Sequence, residues 1–253
     1  MVRIVVFDSG LGSLSIIKAI QKICKSEIIY FADQKNFPYG KKSKKQLETV
    51  IRQTIKLVEE KFSPDVIVMA SNTPSLMVKI TNRKVIGVNP PIREAMIISK
   101  TKNIAILGTR SAIKSKSLSS YIRKFNFSKD KKIHKINSSV LVELVESNKF
   151  ITDKVYCKKI LKKTLGNIFK NNIDVATLSS THLSFLKSLL STEFPQVKFI
   201  DPVDIVARKV VTDIKKNKSK KNTIKIFTSG NVKLFEKNLR KLGIKNKVSF
   251  LST

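Results

Sequence analysis

Short apolar runs rich in β-branched residues alternate along the chain with longer segments whose apolar positions recur at spacings of three and four. The runs cover residues 2–7, 28–32, 66–70, 85–88, 104–107, 175–178, 197–200, 224–227 and 248–251. The helical spacing covers Leu14 to Ile23, Lys45 to Phe62, Asp153 to Phe169, Asp204 to Ile214 and Val232 to Leu242. Apolar strands without a polar face, bounded by helices, belong to parallel sheets covered on both sides. The predicted fold class is therefore α/β, with mainly parallel sheets. The stretch KKNKSKKN at 215–222 interrupts this pattern and reads as an exposed loop.

In such folds ligands bind beyond the carboxyl ends of the strands, where helix N-termini present unpaired NH groups. Those ends carry Asp8-Ser9-Gly10, Asp33, Ser71-Asn72-Thr73, Gly108-Thr109, Ser179-Ser180-Thr181-His182 and Thr228-Ser229-Gly230. Ser, Thr, Asn and Asp are also the preferred N-caps, so capping alone could account for any one of them. Their recurrence at six ends, with an Asp and a His among them, points to a carboxylate or phosphate ligand. The loops contain neither a GxGxxG nor a Walker A pattern, which argues against a nucleotide. Ser71 and Ser180 follow similar strands roughly 110 residues apart, which suggests two similar α/β units facing one cleft.

Composition narrows the partners. With 253 residues, 42% hydrophobic and 27% charged, the chain can bury a core, so a disordered polycation is excluded. Two cysteines cannot build a disulfide framework, and no Cys/His cluster has zinc spacing, so a reducing cytoplasm is the expected location. Neither a signal peptide nor a membrane-spanning segment is evident. The net charge of +32 would attract anionic partners. Residues 1–92 carry 15 basic and 7 acidic side chains against 35 and 11 in the remainder, so the excess is spread through both parts. Clusters lie at Lys41 to Lys45, Lys129 to Lys132 and Lys215 to Lys221. Lys dominates over Arg, Trp is absent, and the basic runs are read as lacking interleaved aromatics, which argues against a nucleic-acid partner. His134, in a basic stretch, is expected to be exposed.

Ordered blocks along nearly the whole chain resemble the glutamate racemase family of the aspartate/glutamate racemase superfamily. They are FDSGLGSLS (7–15), YFADQKNFPYGKKS (30–43), ASNTPS (70–75), IAILGTRSAIKS (104–115), LVELVES (141–147), LSSTHLSFL (178–186), FIDPVDIVA (199–207) and FTSGN (227–231). The resemblance implies two pseudo-symmetric α/β domains, residues 1–92 with 206–253 and residues 93–205, with the active site in the cleft between them. It implies a small acidic amino acid, glutamate or aspartate, as ligand, no metal or organic cofactor, and a dimer. It further implies that Asp8 and His182 orient and tune two base positions, with Glu146 the catalytic-site acid near the second. Ser9, Pro38, Tyr39, Gly40, Asn72, Thr73, Thr109 and Thr181 would hold the amino acid.

The two base positions are where this chain departs from the family. The family inverts the α-carbon with two thiols, and these positions fall on Ser71 and Ser180. A further family cysteine falls on Ser138, a family threonine on Ala112, and the family's IDSG on Ile200-Asp201-Pro202-Val203. The cysteines present, Cys24 and Cys157, fall on helical segments as packing residues. An alkanol is a weaker acid than a thiol by roughly five pKa units, about 7 kcal/mol toward forming the base, or roughly five decades of rate. A two-thiol mechanism is thus not available. Four readings stay open: impaired racemisation, altered acid/base chemistry through Asp8, His182 or Glu146, a non-catalytic amino-acid-binding or regulatory protein, and nucleic-acid association through the basic surface.

Overall fold

The computed structural model describes residues 2–214 and 221–253. Most of the 215–222 loop therefore lies outside the described residues. The strands run in chain order β1 Arg3–Asp8, β2 Glu27–Ala32, β3 Val66–Met69, β4 Val85–Gly87, β5 Asn103–Gly108, β6 Lys132–Asn137, β7 Val175–Ser179, β8 Lys198–Ile200, β9 Thr223–Thr228 and β10 Val248–Phe250. Two sheets result, ordered β10-β9-β2-β1-β3-β4 and β6-β5-β7-β8, and all their pairings are parallel. The α/β class follows from this topology.

The chain divides into two compact units, Met1–Val88 with Val203–Thr253, and Asn89–Pro202. The seams fall a few residues before the 92/93 and 205/206 boundaries that the resemblance implied. Asn89-Pro90-Pro91 and Pro202 occupy the crossings, where proline ends regular pairing, so the helix Ile92–Ile98 belongs wholly to unit 2.

In unit 1, β1 is central, with Asp8 opposite Ala32 of β2 and Phe7 opposite Met69 of β3. Alternate residues serve opposite faces. Val5, Phe7, Ile29, Phe31, Ile67 and Met69 form one core with Leu47, Ile51 and Val58 of the helix Lys44–Phe62. Burying each such Leu or Ile stabilises by about 1.5–3 kcal/mol. That helix starts at a capping box between Ser43 and Gln46 and stops at Ser63, which takes a left-handed conformation before Pro64. Helices Ser13–Ile23 and Val203–Asp213 pack on each other and on strands of the same sheet.

In unit 2, β5 is central, with β7 on one side and β6 on the other. Its core joins Leu141, Leu144 and Val145 of the helix Ser139–Glu146 to Leu161 and Leu165 of the helix Lys154–Phe169, over Leu107 and Leu178. Phe169 meets Phe194 and Phe199 edge-on, at 5.0 and 5.9 Å between ring centres. Cys157 sits in this core and Cys24 is buried at the end of the helix Ser13–Ile23, and the two are not joined in a disulfide.

The apolar pattern did not predict β6, because this edge strand is fully covered on neither face. In KIHKIN no residue is fully buried, and the lysines at 132 and 135, on opposite faces, are both exposed. His134 is not exposed as expected: it is half-buried, and its Nε2 is buried without a hydrogen-bond partner. Among the described residues no helix is long and apolar enough to cross a membrane.

Candidate functional site

Each unit gathers its candidate residues at the carboxyl edge of its sheet. In unit 1 the chain leaves β1 at Asp8, which is 1% exposed, and its Oδ1 accepts a hydrogen bond from Ser9 N at 2.7 Å. The Ser9 hydroxyl in turn accepts from Tyr39 N at 3.3 Å. Tyr39 is buried in the single turn Tyr39–Lys41, flanked by half-buried Pro38 and Gly40. Its phenol donates to Asp33 Oδ2 at 2.9 Å. Burial, then the charges of Asp33 and Asp8, pushes the phenol well above its ordinary range, so it stays a neutral donor.

Asp33 is the residue that sequence reasoning placed at a strand end and gave no role. It is fully buried, and its carboxylate also accepts from Ser229 Oγ at 3.0 Å and from Asn36 Nδ2 at 3.0 Å. A buried carboxylate needs such donors to offset its desolvation. Those it finds tie the Pro38-Tyr39-Gly40 loop and the end of β9 to the end of β2. The available signal was an acid directly following the wholly buried strand β2.

Ser71 follows β3 at the N-cap position of the helix Asn72–Met77, in extended conformation, yet its hydroxyl makes no capping bond. Its carbonyl accepts from Ser75 Oγ at 2.7 Å, and Ser75 Oγ also accepts from Val88 N at 2.8 Å. Asn72 donates from Nδ2 to Val88 O at 3.0 Å, while its Oδ1 is buried without a hydrogen-bond partner. Thr73 is buried beside it. Because β1, β2 and β3 are neighbours in register, Asp8, Ser9, Tyr39, Ser71, Asn72 and Thr73 share one sheet edge.

Unit 2 repeats the plan. Gly108 of β5 lies opposite Ser179 of β7, so Thr109 and Ser180 leave the sheet side by side in register. Thr109 does act as a cap: its Oγ1 accepts from Ala112 N at 3.4 Å. Ser180 does not. It is 5% exposed at the N-cap position of the 3-10 turn Thr181–Leu186, and its hydroxyl makes no capping bond. The capping account thus holds for Thr109 and fails for Ser71 and Ser180.

Thr181 and His182 are buried in that turn. His182 Nε2 is hydrogen-bonded to Oε1 of Glu146, the last residue of the helix Ser139–Glu146. Ser138 is fully buried and donates to Gly108 O at 3.1 Å. Among the described residues no group of three or more His, Cys, Asp or Glu is placed to hold a metal ion. The edge of unit 1 offers hydroxyls, an amide and the acids Asp8 and Asp33, and that of unit 2 offers hydroxyls, the His182 imidazole and the acid Glu146, groups suited to binding carboxylates and ammonium groups and to moving protons.

Comparison with known proteins agrees with these motifs. The profile of the Asp/Glu/Hydantoin racemase family matches residues 4–210. A glutamate racemase of Actinobacillus pleuropneumoniae is 34% identical over 83% of this chain and 80% of its own. That of Buchnera aphidicola is 32% identical over 87% of this chain and 88% of its own. Glutamate racemase isoform RacE1 of Bacillus anthracis superposes with a TM-score of 0.84 at 25% identity, covering 99% of this chain and 97% of its own. From a profile match over most of its length, relatives at a third identity and the shared architecture, the chain belongs to the Asp/Glu/hydantoin racemase family and groups there with the glutamate racemases.

Proposed function

We propose that this protein binds glutamate through its strand-end residues, and that it does not racemise it by thiol chemistry. The observation carrying this reading is that Ser71 and Ser180 both occupy N-cap positions without capping. Two hydroxyls that the helices do not use, set among polar residues held in place by their own contacts, fit positions kept for a ligand. Asn72 Oδ1, a buried acceptor lacking a donor, suits an α-ammonium group. Ser9, Thr73, Thr109 and Thr181 supply donors for carboxylates, and Pro38, Tyr39 and Gly40 form the loop beside them. Asp8 on one unit and the His182–Glu146 pair on the other neighbour the base positions.

Proton removal from the α-carbon needs a base, and a serine hydroxyl falls short of a thiol by roughly five decades. Glutamate is therefore held with its α-proton exchanging far more slowly than in a two-thiol enzyme. The hydrogen-bonded His182–Glu146 pair favours a second reading, in which the imidazole itself exchanges that proton. The family likeness also supports a dimer in a cytoplasmic location, checked by sedimentation velocity and cell fractionation.

Calorimetry with D- and L-glutamate and aspartate, combined with NMR of α-proton exchange in deuterated water, tests the reading. Expected are glutamate binding, negligible exchange, and exchange gained by the Ser71→Cys plus Ser180→Cys variant. Exchange by the native chain that His182→Asn abolishes selects the second reading. Racemisation at ordinary enzyme rates, or failure to bind glutamate, overturns both.

A further inference from the structure

Unit 2 carries a second surface that the amino-acid site does not use. Residues 121–135 hold Arg123, Lys124, Lys129, Lys131, Lys132 and Lys135 against a single acid, Asp130. Asp130 is already paired with Lys102, so the excess positive charge is not neutralised locally. The expectation that no basic run is interleaved with aromatics fails here, since Tyr121, Phe125 and Phe127 lie in the same stretch. Folding brings their rings together. Tyr121 meets Phe125 edge-on at 5.2 Å, Phe125 and Phe127 stack at 5.4 Å with 17° between planes, and Lys131 Nζ lies 5.2 Å from the Phe127 ring centre.

All three rings are only half-buried, whereas the core aromatics of this unit, Phe169, Phe194 and Phe199, are covered. Arg123, Lys124, Lys129, Lys132 and Lys135 are exposed in the same stretch of chain. The chain then enters β6, the outer strand of its sheet, where Lys132 and Lys135 point to opposite faces. Lys135 donates to Ser119 Oγ of the preceding helix at 2.7 Å, so its face of β6 adjoins that helix.

We propose that this surface binds single-stranded nucleic acid, with phosphates on the lysines and unpaired bases against the Tyr121, Phe125 and Phe127 rings. Half-exposed rings beside cations match what a single strand offers, a π-face on every base along a charged backbone. A duplex hides its base faces and is read by elements that enter a groove, which a short loop beside an edge strand does not. A lysine-only surface would serve any polyanion; the ring cluster is what selects unstacked bases.

Fluorescence anisotropy of the full chain with labelled oligothymidine tests this, with a duplex of equal length, heparin and anionic phospholipid vesicles as competitors. Expected is oligothymidine binding that weakens steeply from low to physiological salt, with a slope reduced by about 0.7 for each phosphate-contacting lysine replaced by serine, Lys124, Lys129 and Lys131 being the ones to change. Phe125→Leu with Phe127→Leu is expected to weaken oligothymidine about tenfold or more and leave heparin competition unchanged. Phe125→Tyr with Phe127→Tyr keeps the ring faces and restores binding, which separates stacking from misfolding. Binding indifferent to the leucine pair, tighter binding to duplex or vesicles than to oligothymidine, or no binding at low salt overturns the proposal.

Discussion

The Tyr39 hydroxyl donates to the buried Asp33 carboxylate across 2.9 Å, joining the end of β2 to the loop that carries Pro38 and Gly40. This contact makes the loop part of the core of unit 1 and fixes the course of its backbone. Tyr39→Phe leaves the carboxylate one donor short and is expected to cost about 1–3 kcal/mol in urea denaturation. Asp33→Ala frees the partners at once, and glutamate affinity measured by calorimetry is expected to fall further than with Tyr39→Phe. Unchanged affinity for Asp33→Ala would detach the loop from binding.

Glu27 is buried between Arg3 Nε at 2.7 Å and Lys225 Nζ at 2.8 Å, so one carboxylate links β1, β2 and β9. The Lys225 hydrogen bond, and after it the Arg3 bond and both charges, holds this carboxyl below its ordinary value of 4.5 against the opposing effect of burial. A depressed folded value means that the stabilisation is complete above 4.5 and drains away as pH falls through the lower folded value. Thermal unfolding followed from neutral to acid pH should show a loss of Tm that Glu27→Gln reduces. An identical acid slope in the variant would assign the effect to other carboxylates.

Gly87 lies against Ser75. A Cβ at position 87 would stand 2.9 Å from Ser75 Oγ and 3.1 Å from its Cβ, closer than contacts normally allow. Ser75 Oγ bridges the Ser71 carbonyl and Val88 N, so Gly87→Ala should displace the strand end that positions Ser71. The expected cost is about 1–3 kcal/mol. In the Ser71→Cys background, the added Gly87→Ala should also change the rate at which that thiol reacts with a disulfide reagent. An unaltered rate would show that Ser71 is held by other contacts.

Both native thiols should be inert. Cys24 and Cys157 are buried, and burial, then the charge of Asp153, raises the Cys157 thiol above its ordinary range. Colorimetric thiol titration is expected to find two equivalents only after unfolding, whereas Ser71→Cys, half-buried at a strand end, adds one that reacts in the folded state. Rapid reaction of the native chain would contradict this placement.

Much of the layout was legible because its signals are local. The apolar runs reached nine of the strands, since buried parallel strands show themselves without reference to any partner. β6 escaped, being one-third lysine and recognisable only once β5 lies beside it. The strand-end motifs pointed to Ser71, Ser180 and their neighbours, but local pattern treated all the strand-end hydroxyls alike. Only the folded backbone separates Thr109, which caps its helix, from the two serines, which do not.

The sequence by itself determined the α/β class, the family motifs and the identity of the two residues that stand where thiols are expected, because periodicity and side-chain chemistry are properties of the chain alone. The tertiary structure decided that His182 meets Glu146, that Asp33 gathers Tyr39, Asn36 and Ser229, and that three rings assemble beside a row of cations. These partners are set by strand order and by the need of buried polar groups for hydrogen bonds, and neither is written in any single segment.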